Sequence, residues 1–317
     1  MADDRVAVLM FDPMPSWTVD RLKREFAVSE LPGLADPAGW SVAAPESIRA
    51  IAMPGFVSVP ADFMASLPNL EIAACFGVGY DGVDLDYTRS HGIAVSNTPD
   101  VLTECVADLG IGLILACYRR IVEGDRFVRT GRWETEIILD LGRSPRGKRL
   151  GIVGLGRIGM ALARRAEAFG MSIAYHNRAS RDDVDYAYYD SPKTLAANCD
   201  VLALTCPGGP ATRNLIDAEV MDALGPDGWL VNIARGSVVD EAALVAALKA
   251  GRIAGAGLDV FVDEPRAPKE LFAMENVVLQ PHQASATVET RTAMGDLMID
   301  NLLAHFQGRD LLTPVRQ

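Results

Sequence analysis

The chain has 317 residues, with 30 Lys plus Arg against 42 Asp plus Glu, a formal net charge of −12. At roughly 100–200 residues per domain this length predicts two domains, and 49% hydrophobic with 23% charged residues is the composition of an ordinary globular chain. The acidic balance argues against a nucleic-acid binder, which needs a basic face, and against adhesion to an anionic membrane surface.

The amino terminus, Met1-Ala2-Asp3-Asp4-Arg5, is acidic, unlike a signal peptide. It runs straight into Val6-Ala7-Val8-Leu9-Met10-Phe11, a continuous apolar run expected of a strand buried on both faces. Ser16 is placed to cap a helix running to about Phe26. Leu70 to Phe76 is a second buried strand, ending in Gly77-Val78-Gly79-Tyr80-Asp81, and Ile93-Ala94-Val95 is a third. Pro99 opens a long helical pattern from about Val101 to Thr130, which reads as a connector between domains or a subunit contact. Its most apolar part, Val106 to Tyr118, is interrupted by Asp108 and falls short of the ~18 apolar residues of a membrane helix.

A second α/β series follows, with strands near Arg149–Val153, Ser172–Tyr175, Val201–Thr205, Trp229–Ile233, Gly255–Val260 and Val277–Gln280. Helices such as Arg157–Phe169 and Glu241–Ala250 lie between them. Strands joined by helical crossovers imply a parallel, doubly wound nucleotide-binding sheet. A last helix, about Val288 to Phe306, leads into Leu312-Thr313-Pro314-Val315, a tail able to cross back to the first domain. The expected division is therefore 1–97 with 289–317, and 98–288 as an insertion. The five cysteines, Cys75, Cys105, Cys117, Cys199 and Cys206, are odd in number and match no CxxC or zinc spacing. Reduced thiols in a cytoplasmic protein are expected, with no metal site.

Gly154-Leu155-Gly156-Arg157-Ile158-Gly159 is a GxGxxG sequence that follows a strand and opens a helix, the context that gives it meaning. The first glycine makes the tight turn, the second admits a pyrophosphate, and the third permits close helix–strand packing. The helix N-terminus supplies N–H groups and a positive dipole for the phosphates. At the end of the next strand an acid would bind the ribose 2′-hydroxyl of NAD. No acid occurs from Ser172 through Arg181; Asn177, Arg178 and Arg181 stand there instead. Arginine can bind a 2′-phosphate bidentately, so NADP(H) is expected, with NAD(H) as the weaker alternative.

Three polar residues stand at or just beyond later strand ends: Arg235, Glu264 and His282. In a doubly wound sheet, ligands bind outside the carboxyl ends of the strands, so all three are expected at the cofactor crevice. The set fits carbonyl reduction of a 2-oxo acid. Arg235 can clamp the carboxylate and polarise the carbonyl. His282 can serve as general acid in reduction and general base in reverse. Glu264 can hold the other imidazole nitrogen.

Taken with Gly255-Ala256-Gly257-Leu258-Asp259-Val260-Phe261, Pro281-His282, Gly77-Val78-Gly79-Tyr80-Asp81 and Leu312-Thr313-Pro314-Val315, these motifs give a chain that resembles the D-2-hydroxyacid dehydrogenase family over nearly its whole length. The branch it resembles comprises the glyoxylate, hydroxypyruvate and hydroxyphenylpyruvate reductases. The resemblance implies a flavodoxin-like substrate domain built from both chain ends, a Rossmann cofactor domain inserted into it, and a homodimer formed through the long helix after Thr98. It implies substrate contacts from Arg235, His282 and the Val78 and Gly79 N–H groups. Asp259 would meet the nicotinamide carboxamide, and further cofactor contacts would come from Cys206, Pro207, Thr212, Ile233, Ala234 and Ser285.

Two departures stand out. Relatives usually carry glycine where this chain has Ala284, and the extra methyl would narrow the crevice or shift the loop. An appended regulatory domain of the kind common in phosphoglycerate dehydrogenases is not expected. Glu264, where formate dehydrogenases carry glutamine, argues against formate oxidation. The expected activity is NADPH-dependent reduction of small 2-oxo acids such as glyoxylate and hydroxypyruvate. The alternatives are an NAD-dependent D-2-hydroxyacid dehydrogenase, an aromatic 2-oxo-acid reductase, and, in a different class, a nucleotide-sensing corepressor-like protein. Met53 to Phe56, Tyr80 and Trp133 can line a pocket or serve as plain packing.

Overall fold

The apolar runs anticipated as strands buried on both faces form the interior of two parallel sheets. In the computed structural model, which describes residues 5–32, 39–136 and 138–316, the first sheet comprises β1 (Ala7–Asp12), β2 (Ala27–Pro32), β3 (Ile48–Pro54), β4 (Ile72–Phe76) and β5 (Ala94–Ser96). Its order is β2-β1-β3-β4-β5, the flavodoxin-like winding. Val8 to Phe11 and Ile72 to Phe76 are buried throughout. The carboxyl-terminal tail returns to this sheet: Pro314 bridges Ser96, and the Val315 N–H donates to the Val95 carbonyl at 2.8 Å.

The second sheet comprises β6 (Arg149–Val153), β7 (Ser172–His176), β8 (Ala187–Tyr188), β9 (Val201–Leu204), β10 (Trp229–Asn232), β11 (Gly255–Leu258) and β12 (Val277–Leu279). Its order is β12-β11-β10-β9-β6-β7-β8, a Rossmann winding extended by one strand beyond the six expected. The chain accordingly clusters into two units, Met1–Leu102 with Thr287–Gln317, and Thr103–Ala286. Register in the second sheet is what builds a site. Leu279, Leu258, Asn232, Leu204, Val153 and His176 pair in one row across six strands. The residues that follow them, Gln280, Asp259, Ile233, Thr205, Gly154 and Asn177, therefore all emerge at one edge.

Two expectations need correction. The helix beginning near Ser16 spans Ser16–Glu25 with Pro15 at its N-cap and no side-chain cap, so Ser16 does not cap it. The single helix from Val101 to Thr130 is two, Thr103–Tyr118 and Ile121–Arg129, with Arg120 left-handed at φ 51° between them. The break has a non-local cause. The Tyr118 carbonyl accepts the Arg143 N–H at 2.6 Å, and only a glycine at 142 lets that segment approach, since a Cβ there would lie 2.6 Å from the same oxygen. Among the described residues no helix is long and apolar enough to cross a membrane.

Candidate active site

At the head of the edge row, the glycine loop shows a physical reason for each of its glycines. Gly154 has φ 99°, and a Cβ there would lie 2.6 Å from the Cys206 Cα. Gly159 sits where a Cβ would be 2.6 Å from the Gly154 carbonyl oxygen, so its helix can press onto the strand. Gly156 faces open space, with nothing within 4 Å of a Cβ position. It is the N-cap of helix Arg157–Ala168, which begins with no side-chain cap. An open, uncapped helix N-terminus behind a glycine fits the phosphates of a dinucleotide. Thr205 Oγ1 donates to the Gly154 carbonyl at 2.8 Å and holds the loop, a role not foreseen from the sequence.

Asn177, Arg178 and Arg181 follow β7 beside this loop. Asn177 Oδ1 accepts the Leu155 N–H at 2.7 Å. Arg178 is exposed, with no ion-pair partner among the described residues. Arg181 Nη1 donates to the Leu155 carbonyl at 2.7 Å, while its Nε engages Asp183 at 2.9 Å. Beyond β9, buried Cys206 abuts Gly154, and Thr212 Oγ1 donates to the Pro207 carbonyl at 2.7 Å, folding the 206–212 loop on itself.

Beyond β10, β11 and β12 stand Arg235, Glu264 and His282. The buried Asn232 side chain closes the turn that presents Arg235: its Oδ1 accepts the Ala234 N–H at 3.0 Å, and its Nδ2 donates to the Arg235 carbonyl at 2.9 Å. Ile233 and Ala234 are buried beneath. Glu264 Oε2 lies 2.7 Å from His282 Nδ1, and its Oε1 accepts the Phe261 N–H at 3.0 Å. Burial pushes the Glu264 carboxyl up, but the His282 ring, the Phe261 N–H and the Arg235 charge together bring it below its ordinary value. Gly236 lets these segments meet, because a Cβ there would sit 1.9 Å from the Phe261 carbonyl carbon. Asp259 is fully buried and accepts the Gln283 N–H at 2.6 Å and the Ala284 N–H at 2.9 Å. Burial raises its carboxyl above the ordinary value against those two donors. All three residues anticipated for chemistry thus lie at the carboxyl edge of one sheet.

The match to known proteins runs through the same segment. Residues 111–284 match the model of the D-isomer specific 2-hydroxyacid dehydrogenase, NAD binding domain. The chain belongs to the D-isomer specific 2-hydroxyacid dehydrogenase family. This dehydrogenase is 48% identical over 312 residues, 98% of this chain and 99% of the relative, to glyoxylate/hydroxypyruvate reductase A of Arabidopsis thaliana. It is equally similar, 48% over 312 residues with the same coverage of 98% and 99%, to hydroxyphenylpyruvate reductase of Plectranthus scutellarioides. Among solved structures it matches the NADPH-dependent glyoxylate/hydroxypyruvate reductase of Sinorhizobium meliloti in complex with NADP and malonate, with a TM-score of 0.93 and 46% identity over 98% of this chain and 97% of that one.

In the first unit of the dehydrogenase, the turn after β4 carries Val78 and Gly79. Their N–H groups donate to no acceptor among the described residues, whereas the Val78 carbonyl is held by Asn97 Nδ2 at 2.8 Å and the Gly77 carbonyl by the Thr98 N–H at 2.8 Å. Tyr80 follows Gly79 and is exposed, Phe56 is exposed next to Gly55, which packs against the Gly79 carbonyl, and Trp133 is exposed on the second unit. Ser285 is half-buried after the His282 turn. Sequence reasoning did not foresee the supporting roles of Asn232, Thr205 and Gly236: Asn232 is the last residue of β10, Thr205 directly follows β9, and Gly236 lies four residues past the β10 end, directly after Arg235.

Proposed function

We propose that this dehydrogenase reduces small 2-oxo acids, glyoxylate and hydroxypyruvate foremost, to D-2-hydroxy acids with NADPH. The observation that carries the reading is the 2.7 Å contact of Glu264 Oε2 with His282 Nδ1 at the same sheet edge as Arg235. With Nδ1 engaged by a carboxylate, Nε2 is the ring atom that exchanges a proton with substrate. Bound NADPH supplies the hydride. His282 gives its proton to the carbonyl oxygen as charge develops there, and Glu264 keeps the ring oriented and favours its charged form. The Arg235 fork holds the substrate carboxylate and polarises the neighbouring carbonyl. In the first unit, the Val78 and Gly79 N–H groups are assigned as carboxylate donors, in the manner of a backbone nest. Asp259 is assigned to the nicotinamide carboxamide, and the open glycine loop, Cys206, Pro207, Thr212, Ile233, Ala234 and Ser285 to the rest of the dinucleotide.

NADPH over NADH is supported by the absence of an acid at position 177, the exposed Arg178, and the NADP held by the Sinorhizobium relative. A second reading, preference for an aromatic 2-oxo acid, draws on the Plectranthus relative being as similar as the Arabidopsis one. Initial rates of NADPH oxidation with glyoxylate, hydroxypyruvate, pyruvate and phenylpyruvate separate them. Comparable kcat/KM for the small acids supports the first reading. A preference for phenylpyruvate above about a hundredfold exceeds what one methylene-sized contact supplies and establishes the second. The reading includes a cytoplasmic homodimer, supported by five free thiols and by exposed Ile121, Val128, Trp133, Ile138 and Leu141 on the second unit. Light scattering that returned a monomer would overturn that part.

A further inference from the structure

Leu155, the first variable residue of the glycine loop, is held at both its N–H and its carbonyl. Its N–H donates to Asn177 Oδ1 at 2.7 Å, its carbonyl accepts Arg181 Nη1 at 2.7 Å, and its side chain is buried. The Arg181 guanidinium is anchored in turn by Asp183, with Nε on Oδ1 at 2.9 Å and Nη2 on Oδ2. The Arg181 N–H donates to the hydroxyl of buried Tyr175 at 2.7 Å, so its backbone is fixed as well. Turning this guanidinium outward would break a two-point ion pair and a carbonyl bond together.

We propose that Arg181 is a positioning residue for the glycine loop, anchored by Asp183, and that Arg178 alone reads the 2′-phosphate. The Leu155 peptide leads into Gly156, whose backbone is the least restricted in the loop and which opens helix Arg157–Ala168 uncapped. Released from Arg181, that peptide plane can rotate and turn a carbonyl oxygen toward an anion attracted by the helix N-terminus. The pyrophosphate is common to both dinucleotides, so the loss falls on NADPH and NADH alike. Arg178, exposed and unpaired among the described residues, acts on the 2′-phosphate alone.

The inference rests on the proposed use of NADPH only for Arg178. Calorimetric titration of the intact protein with NADPH and with NADH tests both arms, with Tm measured in parallel. Arg181→Met is expected to weaken both nucleotides by about 3–10-fold, as loss of a hydrogen bond does, with their ratio unchanged within about twofold. Arg181→Lys is expected to recover part of that loss, and Asp183→Asn to reproduce it in smaller degree should Arg181→Met not fold. Arg178→Ala is expected to weaken NADPH by about 10–100-fold and to leave NADH within about twofold. Selective loss of NADPH in Arg181→Met, or no loss of either nucleotide, overturns the assignment. A wild-type protein that prefers NADH overturns the NADPH reading instead, and leaves the equal loss in Arg181→Met to be judged by itself.

Discussion

Replacing Glu264 with Gln removes the anion from the acid/base pair while keeping its size. The contact at stake is Oε2 to His282 Nδ1 at 2.7 Å, between side chains only 22% and 27% exposed, so water screens it in part. A hydrogen bond to a charged group is worth about 1.5–3 kcal/mol, a factor of roughly ten to over a hundred in an equilibrium. The sign follows from which form each direction needs. Glu264, held below its ordinary value chiefly by the His282 contact working against burial, is an anion at neutral pH and favours a charged ring. Reduction consumes the protonated ring, so without the anion the fall of kcat/KM at high pH moves to lower pH. Oxidation needs the neutral ring, and its rise moves the same way. Stability moves on the other side of the profile. A carboxyl lowered by folding contributes stability above its unfolded value and loses it as pH falls through the folded one, and the glutamine abolishes that dependence. The assay is kcat/KM for glyoxylate reduction at saturating NADPH between about pH 5 and pH 9, with Tm at each pH. An alkaline limb that stays in place while the protein remains folded would refute the role given to Glu264.

Three further substitutions bear on the same edge. His282→Ala is expected to lower kcat by about 10²–10⁴-fold, the span of general acid–base catalysis, and a loss below about tenfold reassigns the proton. Arg235→Lys keeps the charge but not the planar fork, so kcat/KM for 2-oxo acids is expected to fall by about 10–100-fold with NADPH affinity unchanged. Weak NADPH binding with normal turnover at saturation would move Arg235 to the cofactor. Gly236→Ala places a Cβ 1.9 Å from the Phe261 carbonyl carbon, so the Glu264 loop must shift. A loss of about 1–3 kcal/mol in stability and a lower kcat are expected, and wild-type values of both would show the contact to be irrelevant.

What the sequence made legible is what depends on local pattern. The run Val8 to Phe11 has no polar residue and becomes a strand buried on both faces. The glycine fingerprint carries its own context, and its open Gly156 is where it was expected. β3 escaped notice because Arg49 and three small or flexible residues dilute its apolar signal, although its interior is fully buried. The break at Arg120 was illegible because its cause, the Arg143 N–H on the Tyr118 carbonyl, arrives from 25 positions downstream. The same holds at the site. Residue types and strand ends named Arg235, Glu264 and His282, but nothing local says that Arg181 spends its fork on Asp183 and Leu155.

The strand register also explains how His282 is held in a backbone conformation that side chains disfavour. Its φ is 54°, in the left-handed region, where a non-glycine residue costs on the order of 1–3 kcal/mol. Three hydrogen bonds to Asp259 sustain it: the His282 N–H to the Asp259 carbonyl at 2.8 Å, and the Gln283 and Ala284 N–H groups to its carboxylate at 2.6 and 2.9 Å. Asp259 is itself fixed, because Leu258 pairs with Leu279 and Asn232 on either side and the Asp259 N–H donates to the Asn232 carbonyl at 3.0 Å. The rigidity of β10, β11 and β12 therefore reaches the imidazole through one buried residue, Asp259, by its carbonyl and its carboxylate together. Ala284 fits the same account. The left-handed residue of the turn is His282 and not Ala284, so the Ala284 methyl meets no backbone penalty. A ring held this way is oriented before substrate arrives, and the strain it stores is offset by the sheet rather than by the reaction.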